Sequence, residues 1–501
     1  MNRGVADGGE DIGMVDEAYR VVIGLEVHVE LKTRTKLFCR CVNAFGSAPN
    51  TQTCPVCLGL PGVLPVLNRN AVSLAVKAGM ALHCRIRSVS KFDRKQYFYP
   101  DLPKAYQISQ YDLPFAEWGF VPIADGAEVK RIRIRRVHME EDAGKLNHIG
   151  QNLKEAEGSL VDLNRAGVPL IEIVSEPDMG SAEEARRYLT ELRTILSYLD
   201  VSDLRMEEGS MRCDANVSLK PRGYQGSLED LPRVEVKNVN SIRNVGRAIE
   251  YEIERQAARL SQGERVIKET RGFDDGRGRT YSQRSKEEAN DYRYFPEPDL
   301  PPLVLDESWL AEVQASLPLL PDAWRERLRG LGVASQDVEV LVQDRVQVAF
   351  LSEALSFTDD VRAVSSWMLS DMLRLLNERG LGFDQSPVSP KDLVDLLGFI
   401  ADGKISGRMA KEVLDKMFES GESAAVWVKR LGMAQITDDS LLRGQVAEVL
   451  AEHGKVVADY RAGKERAFGF LVGQMMKRTQ GQASPEVVNR LLKEALEFDA
   501  Q

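Results

Sequence analysis

The chain has 501 residues, enough for roughly three domains at about 150 residues each. Hydrophobic residues make up 43% and charged residues 28%, a soluble globular balance that excludes a disordered, collagen-like or disulfide-scaffold chain. Lys and Arg number 66 against 76 Asp and Glu, a net charge of −10; this argues against non-specific polyanion binding but leaves room for a local basic patch on a folded RNA.

Met1 to Glu17 is acidic and Gly-rich rather than basic and then apolar, so residues 1–20 read as a short disordered extension and not as a secretory signal. From Val21 the apolar positions 21, 23, 25, 27 and 29 alternate with Gly24, Glu26, His28 and Glu30, the period of a strand with one apolar face. Cys39-Arg-Cys41 and, twelve residues on, Cys54-Pro-Val-Cys57 form two close thiol pairs. Cys39, Cys41, Cys54 and Cys57 on short loops suit tetrahedral Zn²⁺, and a site filled by thiolates leaves no open position, so the metal would be structural. The apolar stretch from Ala71 to Cys84 is broken by Lys77, too short to span a bilayer. Cys84 and Cys213 read as buried small residues. With six cysteines and no export signal, reduced thiols and a cytoplasmic protein are expected.

Strand alternation returns at Lys130–Arg136 and Met211–Leu219, and helical periodicity at Ser181–Leu199, where Glu184 three residues after Ser181 predicts a capping box. A second helix is expected over Ile242–Leu260. This half reads as α+β with antiparallel sheet. Four prolines in Phe295–Pro302 end it. Beyond them the spacing is helical, with helices predicted at Val361–Arg379, Pro390–Ile400, Met409–Glu419, Leu441–Glu452 and Pro485–Leu496, and a softer boundary near Phe357.

A carboxylate between apolar neighbours marks a strand's open face. Glu26, Glu172, Asp214 and Glu235 are such positions, with His28 beside Glu26, and Glu140-Glu141-Asp142 follows the basic strand next to His138. Gathered around one concavity, these acids would repel one another unless a cation sat among them, and oxygen-rich ligation favours Mg²⁺. Arg133, Arg135, Arg212, Lys237 and Lys91 are candidates to meet phosphates, the equipment of phosphoryl transfer. No Gly-Lys pair is followed by Ser or Thr, so a Walker A loop is absent, as are G-x-S-x-G and H-E-x-x-H.

Long motifs carry a family resemblance: Ile23-Gly-Leu-Glu-Val-His-Val-Glu-Leu31, Cys54-Pro-Val-Cys-Leu-Gly-Leu-Pro-Gly62, Tyr97-Phe-Tyr-Pro-Asp-Leu-Pro-Lys104, His138-Met-Glu-Glu-Asp-Ala-Gly-Lys145, Met206 to Ser218, and Asp291-Tyr-Arg-Tyr-Phe-Pro-Glu-Pro-Asp299. From Val21 to the C-terminus the chain resembles the B-subunit family of the tRNA-dependent Asp/Glu amidotransferases (GatB/GatE). The resemblance implies a heterotrimer with an amidase-type A subunit, which supplies ammonia from glutamine, and a small C subunit. It implies ATP-dependent phosphorylation of Glu or Asp misacylated on tRNA(Gln) or tRNA(Asn), followed by amidation. It implies a "cradle" domain over residues 21–299 holding Mg²⁺ and ATP, with Glu26, His28, Glu140, Glu141, Glu172, Asp214 and Glu235 as its site residues. Residues 300–356 become a linker and the start of a helical domain. Residues 357–501 become helical and YqeY-like tail regions, where Lys464, Arg466, Lys477 and Arg478 are candidate tRNA-phosphate contacts. Ala105 stands where the family commonly has Gly. The alternative from another class is a non-catalytic, zinc-bearing tRNA-binding scaffold.

Overall fold

The computed structural model describes residues 18–125, 128–149, 158–285, 291–431, 439–461, 463–479, 483 and 485–498. The expected N-terminal extension lies almost wholly outside them. The chain divides into two compact units, the first ending at Pro321.

The first unit is built on a nine-stranded sheet. In chain order its strands are β1 (Tyr19–Glu30), β2 (Arg85–Ile86), β3 (Ala116–Asp125), β4 (Glu128–Glu141), β5 (Pro169–Ser175), β6 (Met211–Pro221), β7 (Val234–Val239), β8 (Glu269–Asp274) and β9 (Arg279–Ser285). Their spatial order is 9-8-7-6-1-5-4-3-2, which puts β1 near the middle. All neighbours run antiparallel except β7 and β8. That pair departs from the all-antiparallel expectation because helix α3 (Ile242–Ser261) connects the two strands as a crossover, and such a connection returns the chain in the same direction.

The alternation of β1 sets the layers. Ile23, Leu25, Val27 and Val29 are buried on one face. They pack in one core with Ile171 and Ile173 of β5, Val217 of β6, and Leu189, Leu192, Val245 and Ile249 of the covering helices. Each such side chain contributes about 1.5–3 kcal/mol on burial. The covering helices are α1 (Arg69–Ala81), α2 (Ala182–Leu199) and α3. At the start of α2 the Ser181 hydroxyl accepts the Glu184 N–H, but the Glu184 carboxylate reaches one residue further back, to the N–H of Gly180. The capping box is therefore half formed.

β4 carries a register shift: Val174 pairs with Arg136, whereas Ser175 pairs with Ile134. Ile132, Ile134, Val137 and Met139 are all buried. The extra residue between 134 and 137 lets the strand resume alternation with Arg136, His138 and Glu140 on the polar face.

The proline cluster does not close the first unit. Leu303–Val304 pairs with Val89–Ser90, and the helix Glu307–Ala315 packs against α1. These contacts carry the unit about twenty residues past the break expected near Asp299.

The second unit is helical. The segment predicted as one helix from Val361 to Arg379 is interrupted by a π-turn at Met368–Met372. Helices follow at Pro390–Ala401, Gly407–Ser420 and Ala424–Arg430. The last four, Asp439–Glu452, Gly454–Arg461, Arg466–Arg478 and Pro485–Phe498, share a core of their own that includes Leu442, Val446, Leu471, Met475 and Leu492.

Candidate functional site

The polar face of the sheet carries the site, and cross-strand register assembles it. His28 of β1 stands opposite Glu172 of β5 on one side and Arg212 of β6 on the other; Glu172 stands opposite His138 of β4. Two residues along the strands, Glu26 stands opposite Asp214. One further step places Gly24 opposite Asn216, and Asn216 opposite Glu235 of β7.

His28 and Glu172 of the first row, with Glu140 of the next, form a group that could hold a metal ion. His28 Nδ1 lies 3.6 Å from a Glu140 oxygen and its Nε2 lies 3.9 Å from Glu172. One ligand atom from each of these three residues falls within 4.8 Å of the others. His138 Nε2 approaches Glu172 at 3.2 Å, while its Nδ1 is buried with no hydrogen-bond partner. Burial alone would raise the Glu172 carboxyl; the surrounding His138, His28 and Lys95 outweigh it and hold Glu172 well below the usual carboxylate range. Glu26 goes the other way. Burial pushes its carboxyl up, and Glu172, Glu235 and Asp214 push further in the same direction. Two glutamates on adjacent rows of the sheet are thus set to opposite protonation preferences.

Two adjoining cavities open on this face. The smaller, about 390 Å³, contains His28, Glu172, Asp214, Glu235 and Lys237. Its far wall is Lys95, Tyr292 and Tyr294, which lie within or just before the strands of a small sheet formed by Phe295–Pro296, Asp93–Gln96 and Tyr106–Ser109. The larger cavity, about 770 Å³, contains Gly24, Asn216, Ser218 and Leu231. Glu26, Arg233 and Lys268 border both.

The cations divide into two groups. Lys237 bridges Asp214 at 3.0 Å and Glu235 at 2.9 Å. Arg133 and Arg135 line the larger cavity but are matched to Asp178 and Glu176. Arg212 turns to Asp142 at 2.6 Å, and Lys91 is held between Asp93 and Asp112. By contrast Lys95, Arg136, Arg233 and Lys268, which sequence reasoning did not single out, line the smaller cavity and form no direct ion pair with a carboxylate among the described residues, although the Lys95 charge acts on Glu140 and Glu172 from further off. Lys95 instead faces the Tyr292 ring at 5.2 Å, and the buried Arg136 Nε has no acceptor.

Glu141 is not brought to this cavity. As the neighbour of Glu140 in a strand it points the opposite way, where it pairs with Lys104 and accepts the Ile108 N–H at 3.0 Å. It borders a separate 200 Å³ cavity next to Cys39 and Cys57.

The four expected thiols do converge: Cys39, Cys41, Cys54 and Cys57 place their sulfurs within 4.8 Å of one another. Cys57 lies 4.0 Å from Cys41 and 3.9 Å from Cys54. A tetrahedral site with 2.3 Å metal–sulfur bonds has sulfurs roughly 3.8 Å apart, so the cluster fits a metal of that size. Hydrogen bonding from Cys39 holds the Cys57 thiol down to about 4 against its burial, aided by the Cys54 amide and Lys36. Lys36 is 0% exposed, with its ammonium 3.7 Å from Cys57. A buried ammonium needs a negative partner, and a thiolate supplies it.

In the tail, Lys464, Arg466, Lys477 and Arg478 are all exposed. Lys464 is paired with Asp459, and Arg478 with Glu448 and Glu452; Arg466 and Lys477 have no carboxylate partner among the described residues.

A family model described as the GatB/GatE catalytic domain matches residues 21–311, and one described as the GatB domain matches residues 349–496. The chain belongs to the GatB/GatE family of tRNA amidotransferase B subunits. It is 54% identical over 482 residues to a Moorella thermoacetica protein, covering 95% of this chain and 100% of that one. It is 53% identical over 479 residues to a protein of Carboxydothermus hydrogenoformans, covering 95% and 99%. Both relatives are named as the B subunit of aspartyl/glutamyl-tRNA(Asn/Gln) amidotransferase. The GatB/GatE catalytic match spans every cavity residue described above, and the GatB-domain match spans the four basic tail residues. Among the described residues no helix is long and apolar enough to cross a membrane.

Proposed function

We propose that this chain is the ATP-dependent amidating subunit of a complex with an amidase-type A subunit and a small C subunit, acting on Glu-tRNA(Gln) or Asp-tRNA(Asn). One observation carries the reading: a cavity lined by His28 and Glu172, with the buried Glu140 behind His28, combines this group with the Glu26, Asp214 and Glu235 carboxylates and with four cations that form no direct ion pair among the described residues. Acids alone suit a metal; unmatched cations beside them suit a polyanion.

His28, Glu140 and Glu172 are the residues that would hold Mg²⁺. Bound there, the ion would draw negative charge from the phosphate oxygens during transfer. Lys95, Arg136, Arg233 and Lys268 neutralise the remaining phosphate charge and admit a substrate carboxylate to an otherwise acidic pocket. The substrate carboxylate oxygen attacks the γ-phosphorus, the bond to the ADP oxygen breaks, and an acyl phosphate results. Ammonia then adds to the acyl carbon, phosphate leaves with its bridging oxygen, and the nitrogen loses one proton. Burial and neighbouring charge predispose Glu26 to take up a proton in this cavity. Tyr292 and Tyr294 wall the pocket and exclude water that would hydrolyse the acyl phosphate.

Cys39, Cys41, Cys54 and Cys57 would hold Zn²⁺ in a closed, structural site. Arg466 and Lys477 are the tail residues best placed by charge to meet tRNA phosphates.

The test is reconstitution with the partner subunits, misacylated tRNA, ATP and glutamine. Asp214→Ala and Glu26→Ala should abolish tRNA-dependent phosphate release and amide formation. Retention of both activities would leave the chain as a scaffold.

A further inference from the structure

The charged group buried against the thiol cluster also sits where three strands of the sheet are tied together. Lys36 is 0% exposed and forms no ion pair with a carboxylate among the described residues. Its ammonium meets Cys57 Sγ at 3.7 Å and the Leu163 carbonyl oxygen at 3.4 Å. The Lys36 amide donates to the Cys41 carbonyl at 3.0 Å, closing the turn that bears Cys39 and Cys41.

The surrounding backbone carries this turn to the site. Leu37 donates to the Gly167 carbonyl at 2.9 Å, and Leu31 to that of Pro169 at 2.8 Å. Gly167 in turn donates to Asp142, and Asp142 to Val168, both at 2.9 Å. These bonds knit together the end of β1, the end of β4 and the start of β5. Leu31, Asp142 and Pro169 stand only two or three residues from His28, Glu140 and Glu172 respectively.

Sulfur chemistry can undo the knot. Cys39, Cys41 and Cys54 are half-buried rather than enclosed, which leaves the cluster open to a molecule as small as hydrogen peroxide. Cys57 Sγ has Cys54 at 3.9 Å and Cys41 at 4.0 Å, within the swing of a side chain. Two thiolates, one hydrogen peroxide and two protons give one disulfide and two waters; each sulfur loses one electron and the peroxide bond takes up the pair. A second such step consumes the remaining two thiolates. A disulfide sulfur carries no charge, so the ligand set for a metal is lost. Lys36 then faces a neutral sulfur, and a buried ammonium without a negative partner is costly. Its escape to water pulls the turn away from Leu163 and Gly167.

We infer that the cysteine cluster is a peroxide-sensitive switch: oxidation of its four thiols expels the metal, leaves the Lys36 charge unpaired and loosens the shared ends of β1, β4 and β5, so that His28, Glu140 and Glu172 lose their common geometry. A dithiol reductant, itself oxidised to a cyclic disulfide, returns the thiols and lets the metal rebind. The inference rests on the structural-zinc reading and adds a class of reactant to it, the two-electron peroxide oxidants.

Hydrogen peroxide added to the full, zinc-loaded chain tests it without recourse to activity. A zinc-sensitive dye should report about one ion released per chain. Thiols counted after denaturation should fall from six to about two, because Cys84 and Cys213 are buried. Amide hydrogen exchange at Leu31, Leu37 and Gly167 should quicken about tenfold or more, and dithiothreitol with zinc should reverse every change. In Lys36→Met, peroxide should still expel the zinc, but exchange at the three amides should change less than about twofold. Zinc release from the parent without faster exchange overturns the switch, as does equal quickening in Lys36→Met. So does a zinc-loaded parent that keeps its metal and its thiols in peroxide. The parent measurements need no variant, so they decide the matter even where Lys36→Met does not fold. A purified chain that takes up no zinc overturns the structural-zinc reading, and the switch with it.

Discussion

Glu26 and Asp214 stand directly opposite each other on β1 and β6, two carboxylates in register on the polar face of the sheet. Like charges so placed oppose folding, and the Glu26 carboxyl is pushed up by burial, Glu172, Glu235 and Asp214. Glu26→Gln keeps the shape and an oxygen to accept from Asn216. In metal-free buffer the variant should be more stable than the parent by about 0.5–1 kcal/mol, while amide formation falls at least about a hundredfold, the scale of losing one positioned acid–base group. A raised carboxyl contributes stability below the usual Glu range and loses it as pH rises, so the gap should widen from acid towards neutral pH. Denaturant melts at several pH values check this; a parent more stable at neutral pH would contradict it.

Metal analysis of the purified chain should give about one zinc per chain. Cys54→Ser or Cys57→Ser should remove it and lower the melting temperature, since metal binding to such a site is also folding free energy. Lys36→Met should weaken metal retention under chelator challenge, because it removes the buried charge 3.7 Å from Cys57.

Ala105 adopts φ +60° in an exposed loop. The left-handed conformation costs a residue with a Cβ about 1–2 kcal/mol, partly offset by the greater chain entropy of glycine when unfolded. Ala105→Gly should therefore stabilise the chain by roughly 0.5–1 kcal/mol, read as a shift in denaturant midpoint at constant slope.

In the tail, salt dependence should distinguish free from paired cations. Arg466→Ala and Lys477→Ala should each weaken tRNA binding and reduce the salt slope by about one. Lys464→Ala should do less, because its ammonium is already engaged 2.8 Å from Asp459. Filter binding across a salt series measures both slopes.

Much of the site could be read from one local rule. Glu26, Glu172, Asp214 and Glu235 each sit between apolar neighbours, and a strand that buries those neighbours turns the acid to the other face; register then aligns them. The same rule separates Glu140 from Glu141, which adjacency in sequence had grouped together. Lys95, Arg233, Lys268, Tyr292 and Tyr294 carried no such signal. They lie at strand ends and in connecting segments, where nothing periodic fixes direction, and only the folding of those segments over the sheet gathers them. The parallel β7–β8 pair was hidden for a related reason: strand direction depends on what the intervening helix packs against.

The register shift makes β4 two half-strands of opposite parity, with even-numbered residues inward up to Ile134 and odd-numbered ones from Val137 onward. A straight ribbon with this sequence would have to sink either His138 and Glu140 or Arg133 and Arg135 among methyl groups. Neither is affordable, so the strand is locked against the one-residue slip to which a plain strand is prone. Deleting Arg135 would merge the two parities. His138 and Glu140 would keep their side of the sheet, but the lock that holds them in place would be gone.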